Sequence, residues 1–395
     1  MVPSSAALMM AAMTLSCQKH LFSLPEGLHY LNCAYMAPLS KAVEAAGLAG
    51  LIRKRDPTAI TPEDFFRESE LSRERFAQLV NGDRERVAII PAVSYGVATV
   101  VRNLMVEKGQ NIVLLEEQFP SNVYGWQRCR ERGAIIRTVA PPPGADRSSG
   151  WNQRILEAID ADTAVVALPH VHRTDGTRFD LVAVGRRARE VGAALVVDGT
   201  QSVGALPFDV REVRPDALLV AGYKSLMGPY GLGFAYYGER FDHGVPLEDN
   251  WIARSRSRDF SRLVDYDSRY APGMVRYDVG ERSNPILLPM LIAALEELLE
   301  RGVAAIQAYC SSLARGYRRE IRELGCEVTD DSACAAHLFG VRLPGGVSWE
   351  RLQRALTRRR VSVSVRGDAI RVSLNVFNEA DDLTALLAAL REVVS

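Results

Sequence analysis

The chain has 395 residues, 47% hydrophobic and 24% charged, with 48 Lys and Arg balanced by 48 Asp and Glu. Such a composition is ordinary for a soluble globular protein with a sizeable core, and the length suggests about two or three domains. Zero net charge gives no electrostatic reason to expect nucleic acid or an anionic membrane surface as a partner.

The chain opens on MVPSSAALMMAAMTLSCQKH. Its apolar run, Ala6 to Leu15, lacks the basic n-region of a secretory signal and is far too short to span a bilayer. Residues 1–20 therefore read as an N-terminal extension. Buried strands are expected at Arg86 to Pro91, Asn111 to Leu115, Ala134 to Val139, Thr163 to Leu168, Ala194 to Val197 and Ala217 to Val220. Helical stretches lie between them, at Ser94 to Val106, Asn122 to Arg132, Trp151 to Ile159 and Leu181 to Val191. Near-continuous apolar strands alternating with helices predict an α/β fold, a mostly parallel sheet covered on both faces. Ligands bind such sheets beyond the carboxyl ends of the strands.

A Pro-, Gly- and Ser-rich loop, Pro141 to Gly150, interrupts the pattern without ending the domain. Residues 239–285 are irregular and arginine-rich, with Trp251, Tyr266 and Tyr270 as aromatic anchors, and long irregular segments of that kind are usually functional or disordered. From Ile286 a helical pattern runs to about Leu324, with a kink expected near Gly302. Then follow a strand at 337–343, a helix at 348–360, short strands at 361–365 and 369–374, and a final helix from Glu379. This reads as a large domain, 21–285, followed by a smaller C-terminal α+β domain, 286–395. Six scattered cysteines, with neither a CxxC pair nor a metal spacing, suit a reducing cytoplasm and suggest no metal site.

Two strand ends carry the chemistry. In AALVVDGTQ, Asp198 ends an apolar strand; in AGYKSLMGPYGLG, Lys224 follows another and precedes a Gly- and Pro-rich loop. An amine and a carboxylate so placed can reach one ligand from different sides. Pyridoxal phosphate (PLP) needs this pair: a lysine to form an imine with its aldehyde, and a carboxylate to keep its pyridine nitrogen protonated. Taken singly, Asp198 reads as a turn cap and Lys224 as a solvated loop residue. No GxGxxG follows a strand, which argues against a dinucleotide-binding dehydrogenase.

VVDGTQSVGALPFDV followed by DALLVAGYKSLMGPYGLGFAYY resembles the class V aminotransferase family, which includes cysteine desulfurases and isopenicillin N epimerase-like proteins. The resemblance extends, with gaps, from about Leu31 to the C-terminus. It implies the type I fold of PLP-dependent transferases, with a mostly parallel seven-stranded sheet, and a homodimer whose active site lies at the interface, to which residues 239–285 contribute. It implies Lys224 as the Schiff-base lysine, Asp198 as the partner of the pyridine nitrogen and Gln201 as a donor to the phenolic oxygen. Val93 and Ser94, in PAVSYG, match the phosphate-binding helix start, although Ser94 also reads as a simple N-cap. Phe119 takes the place of the residue that stacks on the ring, often histidine; read alone, it is a core phenylalanine. Arg371 matches the arginine that binds the substrate carboxylate.

Departures from the family pattern bear on the reaction. The turn VRGDAIR has no cysteine where desulfurases carry their nucleophile. Ala221 replaces a phosphate-binding serine, with the Tyr223 hydroxyl as a substitute. Gly280-Glu281-Arg282-Ser283 replaces a Gly-Thr pair that reaches the partner subunit's phosphate, leaving Arg282 or Ser283 for that role. Arg173 falls where desulfurases have an asparagine; it reads either as a site for a second acidic group on the substrate or as a surface ion pair with Asp175. His172 reads as lining the same pocket, or as a polar loop residue. The expected function is PLP chemistry at Cα of an amino acid through an external aldimine, most readily an aminotransferase. The alternatives are a β-eliminating lyase, an epimerase, or a non-catalytic binding protein that keeps the fold.

Overall fold

The computed structural model describes residues 15–142, 147–367 and 369–394. The expected extension thus falls mostly outside the described residues; of its last part, Gln18 donates its backbone N–H to Val376 O at 2.7 Å. A two-residue strand, β1 (His29–Tyr30), precedes helices Lys41–Arg53 and Asp64–Leu79. The large sheet is built from β2 (Val87–Ile90), β3 (Asn111–Leu115), β4 (Ile135–Val139), β5 (Thr163–Pro169), β6 (Ala194–Asp198), β7 (Ala217–Ala221) and β8 (Gly233–Tyr237). Its order is β2-β8-β7-β6-β5-β3-β4. Only β8 runs against its neighbours, β2 and β7; the other pairs are parallel. All six predicted strands form within a residue or two of expectation. The seventh, β8, lies in the GLGFAYY stretch that the sequence presents as the tail of a glycine loop.

Helices Val93–Asn103, Arg147–Ala158 and Leu181–Glu190 connect these strands. The helix expected at Asn122 to Arg132 is instead a tight 3-10 turn, one α-turn at Tyr124–Gln127 and a second 3-10 stretch, closed by Gly133 at φ 88°. Gly125 lets this segment cross the neighbouring helix closely: a Cβ there would lie 2.8 Å from Val97. Asn122 turns inward to accept from the Trp126 indole N–H at 3.1 Å. These tertiary demands shorten the helix.

The kink expected near Gly302 is a complete break. Gly302, at φ 74°, separates helices Leu287–Arg301 and Val303–Glu323. Leu288, Leu291, Leu295, Leu298 and Ile306 pack into the core beneath the large sheet, whereas Cys310, Ala314 and Ile321 join a second core. Packing therefore changes over from one core to the other between Ile306 and Cys310. The first of these helices is drawn onto the large unit by Gly50, where a Cβ would stand 2.1 Å from Pro285 O.

The second core lies under β9 (Glu327–Val328), β10 (Leu338–Arg342), β12 (Ser364–Arg366) and β13 (Ala369–Ser373), an antiparallel sheet of order β12-β13-β10-β9. Helices Trp349–Arg358 and Ala380–Val394 belong to the same unit. β11 (Val361–Ser362) pairs in parallel with β1, and Leu31 is buried in this second core. The C-terminal unit thus incorporates the start of the described chain, a long-range pairing that local pattern does not reveal.

Segment 239–285 contains short 3-10 turns and no regular strand. Trp251 packs edge-on to Phe65 and Phe260, and Tyr270 lies under Arg254 and bonds Asp249, so both anchor it. Tyr266 does not: it is 98% exposed. All six cysteines are free thiols. No helix of the described residues is long and apolar enough to cross a membrane.

Candidate active site

β5, β6 and β7 are sheet neighbours, and their carboxyl ends deliver the side chains that open one cavity. Asp198 is the last residue of β6; Lys224 follows β7; His172 and Arg173 follow β5. Val93, Ser94, Phe119, Gln201 and Tyr223 line the same cavity. Residues far apart in the chain are therefore gathered by the parallel topology.

Asp198 is buried, and one of its carboxylate oxygens accepts from Thr200 N at 3.0 Å. Burial pushes its acidity toward the protonated form, while Thr200 and the Lys224 charge pull the other way. Thr200 also ties the two strand ends together. Its hydroxyl accepts from Ala221 N at 3.2 Å, and its carbonyl accepts from the Ser225 hydroxyl at 3.2 Å. Gln201 donates to Ala34 O at 3.1 Å, and its own carbonyl lies 2.7 Å from His337 Nε2.

Lys224 is 7% exposed. Burial draws its ammonium down to about 8; Asp198 opposes the shift, and Arg371, Arg366 and Arg173 add to it. Its Nζ lies 5.1 Å from the Phe119 ring centre and 5.4 Å from that of Tyr223. Phe119 is 39% exposed, so it is a cavity wall and not a core residue. The turn carrying it is fixed by Gln118, which accepts from Leu115 N at 3.3 Å and donates to Asn122 O at 2.7 Å.

Helix Val93–Asn103 begins at the cavity with Ala92 as its cap and no side-chain cap bond. Ser94 is thus the second helical residue and not the N-cap. First-turn N–H groups have no intrahelical partner, so those of Val93 and Ser94 are oriented for an anion.

His172 is fully buried, with Nδ1 3.0 Å from Asp175, its ring edge-on to Trp151, and Nε2 without a partner among the described residues. Arg173 donates from Nε to Glu117 O at 3.0 Å and stands 5.7 Å from the Phe119 ring centre. Asp175 faces His172 and accepts from Thr177 N, so the surface pairing considered for Arg173 is not the arrangement seen. Arg371, 2% exposed, lies behind the wall: Nη1 donates to Arg173 O at 3.1 Å and Nη2 to the Ser364 hydroxyl at 3.4 Å.

Arg282 and Ser283 do not reach this cavity within one chain. Arg282 is buried and donates to Asp278 at 2.7 Å, an acceptor it shares with Arg73. Ser283 donates to Phe65 O. Asp278 has no exposed surface, and its need for cationic partners explains why Arg282 turns inward. Sequence reasoning missed Thr200, Gln118, Ser121 and Tyr230 on the cavity wall. The Asp-Gly-Thr turn was a usable signal for Thr200; the others carry none.

An amine of lowered pKa, a buried carboxylate, a helix start for an anion and an aromatic wall converge on one space. This donor set fits pyridoxal phosphate group by group: aldehyde, pyridine nitrogen, phosphate and ring.

The family model described as aminotransferase class V matches residues 61–386. A probable cysteine desulfurase of Methanothermobacter thermautotrophicus is 33% identical over 170 residues, a match spanning 43% of this chain and only 42% of that relative. The isopenicillin N epimerase of Streptomyces clavuligerus is 25% identical over 81% of this chain and 83% of its own length. Among solved structures, a C-DES mutant with glycine covalently linked to its PLP cofactor superposes with TM-score 0.83 at 19% identity, covering 95% of this chain and 99% of that one.

Proposed function

Because the chain belongs to the class V aminotransferase family, whose members depend on pyridoxal phosphate, we propose that it is an enzyme acting at Cα of an amino acid, with aminotransferase-type chemistry. The observation that carries this reading is the placement of Asp198 and Lys224 at the ends of adjacent strands, both buried and both facing one cavity.

When bound, the cofactor supplies an electron sink for negative charge developing at Cα. Lys224 would hold it, and its amine would take the Cα proton and return it. Its lowered pKa keeps a useful fraction of the amine unprotonated near neutral pH. Asp198 would hold the pyridine nitrogen and keep a proton on it, and that positive charge would stabilise the buried carboxylate. Val93 and Ser94 would hold the phosphate, the Tyr223 hydroxyl would add a donor, and Gln201 would address the phenolic oxygen. Phe119 covers the ring without offering a proton, so acid–base work falls to Lys224. Arg371, behind the wall at Arg173, would draw the substrate's α-carboxylate to that side of the cavity.

Cys33 is the one thiol whose acidity the Lys224 and Arg371 charges reach, yet burial pushes it up to about 12. No cysteine lines the cavity among the described residues, which favours proton transfer over persulfide chemistry. A panel of amino donors given to the loaded enzyme tests the reaction type. A keto acid matched by aminated cofactor is expected; stoichiometric release of ammonia and a β-substituent, or inversion at Cα alone, would contradict it.

The enzyme works as a homodimer. Tyr35, Met36, Tyr124 and Tyr230 are large apolar side chains left exposed, and a self-complementary face would cover such a surface. In that assembly Arg282 and Ser283, with segment 239–285, serve the partner's site. Six free thiols fit a reducing compartment, the cytoplasm.

A further inference from the structure

Three guanidinium groups gather near Lys224, one in the cavity wall and two behind it. Arg173 forms part of its wall. Arg371 hydrogen-bonds the Arg173 carbonyl from behind at 3.1 Å. Arg366, on β12, belongs to the hairpin that carries Arg371 on β13 and, among the described residues, donates to the carbonyl of its neighbour Val365, at 2.7 Å. Among the described residues, no carboxylate forms an ion pair with any of the three. Elsewhere the same chain pairs its arginines readily, as Arg254 with Asp249 and Arg258 with Glu63. The Nε groups of Arg366 and Arg371 are buried without an acceptor among the described residues.

Such an arrangement is costly. Burial and mutual repulsion draw Arg371 down to about 9 and lower Arg173 as well. Buried charges are normally matched by an opposite charge. The nearby Asp198 carboxylate is committed to the cofactor and to Lys224, and one substrate α-carboxylate answers one guanidinium. Glu117 attracts Arg173 without a close ion pair, so among the described residues a second close anion is missing from the balance.

From the juxtaposition of Arg173 in the cavity wall with Arg371 and Arg366 behind it, none ion-paired among the described residues, we infer that the substrate is an amino acid with an anionic side chain. Arg371 receives the α-carboxylate; Arg173 and Arg366 receive the side-chain anion. The inference rests on reading the cavity as an amino-acid site.

Calorimetric titration of the PLP-loaded protein with succinate and with butyrate tests it, since neither carries an amino group and neither can react. Wild-type protein is expected to bind succinate at least about tenfold more tightly, the worth of one charge-assisted contact. That ratio should fall in Arg173→Gln or Arg366→Gln and be largely kept in Arg173→Lys, which retains the charge. Cofactor absorption and melting temperature check that each variant is folded. Equal affinity for the two anions, or a ratio unchanged in both glutamine variants, would overturn the proposal. Failure to take up cofactor would instead refute the PLP reading, and the same titration on cofactor-free protein would still measure the dianion preference.

Discussion

Lys224 shows how burial turns an ordinary side chain into a reactive one. At about 8 its amine loses its proton well below the usual lysine value, because desolvation outweighs the attraction of Asp198. Cofactor-free protein should therefore capture added pyridoxal phosphate at a rate that rises with pH through about 8 and then levels off. Growth of the visible absorption band measures this, and a rate independent of pH would contradict it. The sign of the linkage is the same for stability. Between about 8 and the ordinary lysine range the unfolded chain holds a proton that the folded chain has lost, so the cofactor-free protein gains stability as pH rises. At this scale much of the site was legible, because Asp198 and Lys224 each end an apolar run at a turn. Arg282 was not, since nothing local announces that Asp278 is buried and draws it inward.

Strand-to-helix turns position these groups, and they do so under tight steric limits. Gly222, two residues before Lys224, donates to Leu232 O at 2.9 Å and accepts from Gly228 N at 2.8 Å. A Cβ at Gly222 would lie 2.6 Å from that same Leu232 oxygen. Gly222→Ala should cost about 1–3 kcal/mol and weaken cofactor retention by displacing the lysine turn. Denaturant melts and cofactor dissociation would show both effects; a variant matching wild type would mean that the turn yields without strain. The elements most legible in sequence were the apolar central strands, whose pattern survives burial on both faces. β8 was obscured because its first residue is Gly233 and a glycine loop precedes it. The expected helix at 122–132 failed because Gly125 and the inward Asn122 serve packing rather than helix propensity.

In the whole molecule, two cores meet on the helix after Gly302, and the C-terminal unit recruits β1 from the beginning of the described chain. A boundary drawn from sequence order has no access to such pairing. The exposed Tyr35, Tyr124 and Tyr230 give the proposed dimer its surface. Its melting temperature should rise with protein concentration, because association stabilises the folded state by mass action. A concentration-independent melt with full activity in dilute, monomeric protein would remove the dimer from the account. The central claim is that this fold exists to hold pyridoxal phosphate on one lysine. Reductive trapping of the loaded protein followed by peptide mass mapping tests it most directly. A single pyridoxyl adduct on Lys224, absent in Lys224→Ala, is expected; an adduct on another lysine, or none, would contradict this assignment.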